Sequence, residues 1–185
     1  MQLIDQITVR DDVIPKHLQD FYELITLGTH NGESSKTNAQ ITSIPYTCKY
    51  EPTAQELVPN SLSFYHQLAS SVYFEDFAII PEMMCNAYGT VLKEVMAGRI
   101  YIITPQNTEL KHYNPHIDSP EHHYALIYYV NDADGATVLF DGDKIIKEVE
   151  PKKGRILLFN GAIYHGGGIP KNTNRCVVKF NIDFK

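Results

Sequence analysis

The residues best suited to chemistry in this chain are His116 and Asp118, which are separated by one residue. Two side chains one residue apart on an extended segment point to the same face, so the imidazole and the carboxylate can converge on one point. Both groups are ligands of divalent first-row metals. We predict His165, which precedes three glycines, as the third ligand. Such a set would leave the other coordination positions of the metal open.

The His116 and Asp118 pair alone does not identify a metal site, because these residue types also meet in polar turns and the chain holds eight histidines. The order of the parts favours a metal centre. Strand-like runs follow the pair, then comes His165, and then Arg175 at the start of an apolar run. Two histidines and one carboxylate on one face are typical of non-haem Fe(II) oxygenases.

The elements that must position these residues are predicted to be strands. From residue 99 onward, short apolar runs alternate with turn residues, a pattern typical of an antiparallel sandwich or barrel. The runs cover residues 99–104, 124–130, 136–140, 144–149, 155–159 and 175–184. On the last strand Lys179 and Asn181 share the parity of Arg175, so all three should face the interior.

The first half of the chain predicts mainly helices. Residues 3–9 alternate as a strand, and a helix is expected between Pro15 and Gly28. Further helical patterns cover residues 61–74 and 81–98, the second opening at Pro81 and ending at Gly98.

Residues 29–60 are polar and rich in turn residues, which predicts a long surface loop with one strand near 40–43. Loops of this kind act as lids or as plain connections, and both interpretations stay open here. Tyr46 and Tyr50 are the candidates for substrate contacts if the loop closes.

The chain of 185 residues suits a single α+β domain spanning residues 1–185. We expect residues 1–98 to provide mainly helical support and a loop, and residues 99–185 to form a jelly-roll β core, a double-stranded β-helix, with the metal site.

Charge and composition exclude some functions. The formal net charge of −6 gives no long-range attraction to nucleic acid or to an anionic membrane. Three scattered cysteines, the absence of a signal-peptide pattern and the lack of an apolar span favour a cytoplasmic protein. No feature predicts the oligomeric state.

The motifs named above resemble those of the Fe(II)/2-oxoglutarate-dependent dioxygenases, in the prolyl 4-hydroxylase-like branch. That branch commonly has Tyr-x-x-His-x-Asp, which stands here as Tyr113 to Asp118. Residues 151–159 before the second histidine and the strand at 127–131 are also similar. The resemblance covers roughly residues 99–184 and implies Fe(II), 2-oxoglutarate and O2, with ascorbate as an optional reductant.

The resemblance implies roles for single residues. His116, Asp118 and His165 would hold the iron, and Arg175 would pair with the distal carboxylate of 2-oxoglutarate through its planar fork of donors. Tyr129 would donate to the same carboxylate, although the strand register leaves Tyr128 as an alternative. Other candidates near the co-substrate are Tyr113, Tyr101 and Lys179.

The sequence predicts the substrate less specifically than it predicts the cofactor. Nucleic-acid demethylases of the superfamily have a second arginine where this chain has Asn181, so we expect no nucleic-acid substrate. We predict that Asn181 contacts the substrate. Hydroxylation of a prolyl residue in a protein or peptide, with release of succinate and CO2, is the first hypothesis. The alternatives are a free amino acid or other small molecule, a cupin-type oxygenase without 2-oxoglutarate, and a non-catalytic metal-binding β-sandwich module.

Overall fold

The computed structural model of the protein describes residues 6–30, 33–34, 44–51 and 61–185. Two helices lie in these ranges, α1 (Lys16–Leu27) and α2 (Phe74–Tyr88). The strands in the same ranges are β1 (Ile7–Arg10), β2 (Thr29–His30), β3 (Glu33–Ser34), β4 (Thr47–Glu51), β5 (Ser61–Gln67), β6 (Leu92–Ile103), β7 (Tyr124–Tyr129), β8 (Thr137–Asp141), β9 (Lys144–Val149), β10 (Ile156–Asn160), β11 (Tyr164–Gly166) and β12 (Arg175–Phe184).

The strands form a large and a small antiparallel sheet. The major sheet has the order β1-β10-β7-β12-β6-β5-β4, and the minor sheet has the order β11-β8-β9. Strands β2 and β3 form a separate two-stranded hairpin. The predicted class is confirmed: the fold is α+β, with a jelly-roll core and supporting helices.

Two apolar layers cover the two faces of the major sheet. Along β7, Leu126 and Tyr128 face the helices, whereas Ile127 and Tyr129 face the minor sheet. This alternation follows from the period of two in a strand. The layer between the two sheets is the one that contacts the predicted site.

The first helix agrees with its sequence signals. Helix α1 begins directly after Pro15, whose missing N–H costs nothing at a helix start. It ends at Gly28, which adopts a left-handed φ of 69° and donates its N–H to the Leu24 carbonyl.

The helix predicted for residues 61–74 is wrong, because this segment begins with strand β5. Its apolar residues fit a helical spacing, but Phe64 and Tyr65 also suit a strand, and β5 gains hydrogen-bonded partners on both sides. Ser63, for example, lies opposite both Lys49 of β4 and Ile103 of β6. Pairing within the sheet therefore outweighed local propensity.

The helix predicted for residues 81–98 is also wrong in its position. Helix α2 starts earlier, at Phe74, with Glu75 and Asp76 in its first turn, and Pro81 lies inside it. Gly89 stops the helix with a left-handed φ of 76°. Strand β6 then begins at Leu92, so the expected division at residue 99 falls inside a strand. The predicted strand near 40–43 lies outside the described residues.

Among the described residues, no helix is both long enough and apolar enough to cross a lipid bilayer.

Candidate active site

The predicted metal ligands are brought together by one short backbone pairing. His116 lies in the connector formed by residues 104–123, which contains no helix or regular strand. Its N–H donates to the His165 carbonyl at 3.0 Å, and the His165 N–H donates back to His116 at 3.0 Å. This isolated antiparallel bridge joins the connector to β11. Asp118, two residues later, then turns toward the same point.

The geometry of the ligand trio (His116, Asp118 and His165) fits a metal ion. One ligand atom from each residue lies within 4.8 Å of the others. The Nε2 atoms of both histidines are 3.7 Å from the carboxylate oxygens of Asp118. Asp118 Oδ2 is buried and has no hydrogen-bond partner among the described residues. A buried carboxylate with an unpaired oxygen beside two imidazoles fits a site that binds a cation.

Backbone carbonyls orient both imidazoles of the trio. His116 Nδ1 lies 3.0 Å from the Asn114 carbonyl oxygen, and His165 Nδ1 lies 3.3 Å from that of Ile163. In the tautomer that donates from Nδ1, each Nε2 keeps a lone pair for a metal. The backbone therefore determines that Nε2 of each histidine is the nitrogen available to a metal.

Burial keeps His165 neutral. Its side chain is almost fully enclosed, and this desolvation, together with the nearby Lys179 ammonium, lowers the pKa of His165 to about 4. Burial alone would raise the pKa of Asp118, but the charge of the Lys179 ammonium and its hydrogen bond lower it overall. A neutral imidazole and an ionised carboxylate are the forms that bind a metal.

Lys179 lies against the trio, as its predicted inward direction requires. Its ammonium donates to Asp118 Oδ1 and lies 3.2 Å from His165 Nε2. Burial lowers the pKa of Lys179, and the Asp118 carboxylate opposes that change. Among the described residues, this ammonium is thus the cationic group that contacts the ligand atoms.

Arg175 lies at the start of β12 and is only 2% exposed. Its Nε donates to the Gly135 carbonyl at 3.0 Å, and its Nη2 donates to Thr137 Oγ1 at 2.8 Å. Within the described part of the chain, Nη1 makes no hydrogen bond. The guanidinium is therefore fixed along one edge while its outer edge retains donors for a carboxylate.

Tyr129, rather than Tyr128, shares the interior with Arg175. The Tyr129 hydroxyl donates to Thr137 Oγ1 at 2.7 Å, and the Arg175 guanidinium carbon lies 5.7 Å from the centre of its ring. Burial lowers the pKa of Arg175, and the nearby phenols of Tyr129 and Tyr113 oppose the shift. Tyr113 also pairs its backbone N–H with the Gly167 carbonyl at 2.9 Å.

Thr137 was missed by the sequence analysis, although it joins Tyr129 to Arg175. The available signal was a β-branched polar residue directly before the apolar residues of strand β8. It is fully buried, and a buried hydroxyl needs partners, which these two side chains provide.

Two loops hold Arg175 in place. The Asp134 carboxylate accepts hydrogen bonds from the backbone N–H groups of Lys171, Asn172 and Thr173, just before β12. Asn131 Oδ1 accepts the N–H of Cys176 at 3.0 Å, just after Arg175. These contacts determine where β12 begins.

Close backbone contact explains part of the glycine pattern. Gly135 has a φ of 90°, and a Cβ at Gly168 would overlap the Gly135 carbonyl group. A Cβ at Gly166 would lie 2.7 Å from the Tyr113 carbonyl oxygen. The glycines after His165 therefore let the connector and the β8 loop approach β11 closely.

A cavity of about 250 Å³ opens beside the trio. It is lined by Met96, Ala97, Gly98, Arg99, Tyr101, Asp118, Ser119, Glu121, Lys179 and Asn181. The predicted residues Tyr101, Lys179 and Asn181 therefore reach the same space as Asp118. A larger cavity, of about 570 Å³, is lined by residues of α1 and the loops near Lys152 and includes none of the predicted site residues.

Tyr46 does not face the site, contrary to the expectation from the loop. It packs against the apolar layer under the helices, where its hydroxyl donates to the Thr26 carbonyl at 3.2 Å. Its apolar ring stabilises the core on that side, so a substrate role for Tyr46 is not supported. The Tyr50 side chain lies outside the described part of the chain. His123, at the end of the connector, is buried.

Comparison with a family model gives a match to the 2OG-Fe(II) oxygenase superfamily over residues 103–183. This range includes the trio, Arg175, Thr137 and Tyr129. A comparison with curated proteins gives no match to this chain.

Solved structures share the fold at low sequence identity. A prolyl hydroxylase from Trichoplax adhaerens, in complex with a hypoxia inducible factor peptide fragment, has a TM-score of 0.63 and 11% identity, covering 96% of this chain and 84% of that one. A 2OG-Fe(II) oxygenase family oxidoreductase from Burkholderia pseudomallei has a TM-score of 0.62 and 11% identity, covering 94% of this chain and 93% of that one. A Pseudomonas putida prolyl-4-hydroxylase has a TM-score of 0.58 and 14% identity, covering 97% of this chain and 96% of that one. Residues 103–183 thus match the model of the 2OG-Fe(II) oxygenase superfamily, and the chain has the prolyl 4-hydroxylase-like fold that its sequence resembles.

Proposed function

We propose that this protein is an Fe(II)- and 2-oxoglutarate-dependent dioxygenase that hydroxylates a prolyl C–H bond in a protein or peptide. One observation carries the proposal: the trio and the fixed guanidinium of Arg175 face the same interior between the two sheets. A metal site that binds no co-substrate does not require a buried guanidinium with unpaired N–H donors. A metal site that also binds a dicarboxylate co-substrate requires such a group, because the guanidinium can pair with the distal carboxylate.

The protein's residues divide the work. His116, Asp118 and His165 would hold Fe(II), and Arg175 with Tyr129 would bind the distal carboxylate of 2-oxoglutarate. When bound, the iron together with 2-oxoglutarate and O2 supplies the oxidation of an unactivated C–H bond, with release of succinate and CO2. The apolar layer around Phe159 and Ile127 would exclude water from this reaction. Ascorbate would serve as an optional reductant.

A prolyl substrate is supported by the proteins that share the fold. Two of the similar structures named above are prolyl hydroxylases, and one of them holds a peptide. The cavity beside Asp118 opens outward, which suits an extended segment better than a closed chamber would. A free amino acid or other small molecule is the alternative substrate.

The proposal is tested by an anaerobic visible spectrum of the protein with Fe(II), before and after adding 2-oxoglutarate. Chelation of the iron by the keto acid gives a weak metal-to-ligand charge-transfer band. The band should form in the wild type and be lost in His165→Ala. If iron binds but no band forms, the co-substrate role fails, and a cupin-like oxygenase or a metal-binding module becomes the better description.

The substrate is tested separately. Peptides with and without proline are incubated with the loaded protein under 18O2, and a mass increase by one labelled oxygen at the prolyl residue supports the proposal. Oxidation of free L-proline alone would shift the assignment to a small-molecule hydroxylase.

A further inference from the structure

We infer that Lys179 and Arg99 form a binding site for a carboxylate group of the substrate, beside the metal ligands. This inference rests on the proposed function and extends that function by naming a chemical group that the substrate carries. The site is referred to below as the carboxylate subsite.

The two basic residues are direct neighbours across paired strands. Lys179 of β12 lies opposite Arg99 of β6 in the antiparallel register, and opposed residues of such a pair project on the same face. Like charges placed directly opposite each other destabilise a sheet. Both residues line the cavity of about 250 Å³ beside Asp118. An anion bound between them would convert this repulsion into attraction.

Arg99 is held in position without being neutralised. Its Nε donates to Gln67 Oε1 at 2.9 Å, and its Nη1 donates to the Tyr101 hydroxyl at 3.2 Å. Both partners are uncharged, and no carboxylate of the described residues lies within 4.0 Å of the guanidinium. Its Nη2 makes no hydrogen bond with them. The guanidinium is thus oriented by neutral groups and keeps donors for a ligand.

Lys179 has donors to spare once a metal is bound. An ammonium carries three N–H groups, and one of them contacts Asp118 Oδ1. A second lies 3.2 Å from His165 Nε2, the lone pair that a metal would take. A metal at the trio would therefore free that donor. It would also draw negative charge from Asp118, leaving the exposed Glu121 as the remaining acidic side chain on this wall.

The carboxylate has two possible sources in a prolyl substrate. It is either an acidic side chain next to the target residue in a peptide, or the carboxylate of a free amino acid. Asn181 lies two residues after Lys179 on the same strand and lines the same cavity, so its amide would add a neutral donor. Both sources use the same charge-assisted hydrogen bonds.

The test measures binding of paired probes by isothermal titration calorimetry, on protein loaded with Mn(II) and 2-oxoglutarate without oxygen. One pair is acetyl-Gly-Asp-Pro-Gly-amide and its Asn analogue, and the other is L-proline and L-prolinamide. We expect the carboxylate member of one pair to bind about tenfold more tightly than its amide partner. Which pair shows the preference identifies the source of the carboxylate.

Variants test whether the preference arises at this site. Arg99→Gln should reduce the preference to nearly equal binding, and Arg99→Lys should retain part of it, because the charge remains. Arg10→Gln removes an exposed arginine of β1 that pairs with Asp12 and should leave the preference unchanged. Circular dichroism checks that each variant is folded.

Three results would overturn the inference: equal binding within both pairs, no binding by any of the four probes, or a preference that survives Arg99→Gln. The proposed function fails independently, because the charge-transfer band of the wild type needs no substrate. A band without any carboxylate preference would therefore remove the carboxylate subsite and leave the dioxygenase proposal in place.

Discussion

Tyr128 and Tyr129 are adjacent in sequence but project to opposite faces of the major sheet. The Tyr129 hydroxyl donates to Thr137 beside Arg175, whereas the Tyr128 hydroxyl is buried under the helices with no partner among the described residues. Both rings are fully buried. This pair offers a matched comparison, because the same chemical change has different consequences at consecutive positions.

Tyr129→Phe should weaken 2-oxoglutarate binding about tenfold, since it removes a hydroxyl that is expected to contact the distal carboxylate. Tyr128→Phe should leave that affinity unchanged. It should also keep or raise stability, by up to ~1 kcal/mol, because it removes an unpaired buried hydroxyl. Titration of 2-oxoglutarate into the Fe(II) protein, followed by the charge-transfer band, measures the first effect and thermal unfolding the second. Equal affinities in the two variants would remove Tyr129 from the binding site.

Arg175→Lys should weaken 2-oxoglutarate binding by about 100-fold or more, because an ammonium cannot present a planar fork to a carboxylate. Iron content, measured after removal of free metal, should stay at the wild-type level. Arg10→Lys is the matched control, since the Arg10 side chain is partly exposed and pairs with Asp12 at 2.9 Å. An unchanged 2-oxoglutarate affinity in Arg175→Lys would contradict the proposed role.

Thr137→Val should weaken 2-oxoglutarate binding severalfold without a large change in shape. The hydroxyl that links Tyr129 to Arg175 is lost, so both side chains lose a hydrogen bond that orients them. Thr90→Val provides the control, because the Thr90 hydroxyl is buried and has no partner in the described part of the chain. Comparable binding in both variants would mean that Thr137 only fills space.

Asp118→Asn should abolish tight Fe(II) binding and also destabilise the protein. Lys179 would then keep its ammonium in a largely buried position without a carboxylate, and breaking such a pair costs about 3 kcal/mol. Adding Lys179→Met should restore much of the stability but not the metal binding. Urea unfolding and metal content distinguish the two effects. If the double variant were no more stable than Asp118→Asn, the ion pair would have no structural role.

Asp20 should contribute to stability at neutral pH and lose that contribution in acid. Its hydrogen bond with Lys153, at 2.7 Å, lowers the pKa of Asp20 to about 2 in the folded state, below the usual value near 3.9 in an unfolded chain. A lowered pKa stabilises the fold above pH ~4, and the effect is lost as the pH falls through the folded value. Asp20→Asn should therefore cost about 1 kcal/mol at pH 7 and almost nothing at pH 2.

Urea unfolding of Asp20→Asn at both pH values measures this difference. Asp143→Asn is the control, because Asp143 lies in the exposed turn between β8 and β9 and makes no ion pair with the described residues. A loss of stability that is the same at pH 7 and pH 2 would contradict the prediction.

The second half of the chain could be predicted because its signals are local. The pairing of His116 with Asp118 depends on a separation of two residues, and the strands after residue 124 alternate with clear turn signals. The parity of β12 was enough to place Lys179 and Arg175 on the same face. Once the register of one strand is set, it determines on which face of the sheet each of its side chains lies.

The first half was harder, because its strands depend on partners far along the chain. Strand β5 pairs with residues of β6 that lie 32 to 40 positions later, and nothing local distinguishes its apolar spacing from that of a helix. Thr137 was missed for a related reason. Its hydrogen-bond partners, Tyr129 and Arg175, belong to two other strands.

The connector that carries His116 and Asp118 has a further consequence. Residues 104–123 contribute no strand to either sheet, and they are attached to the minor sheet mainly through hydrogen bonds with β11 and the residues that flank it. A metal held by all three ligands would bind only the folded chain, and a ligand at 1,000 times its dissociation constant adds about 4 kcal/mol of stability. The resistance of the protein to unfolding would thus rise and fall with the supply of iron, and proteolysis of the connector would report how much of the protein is loaded.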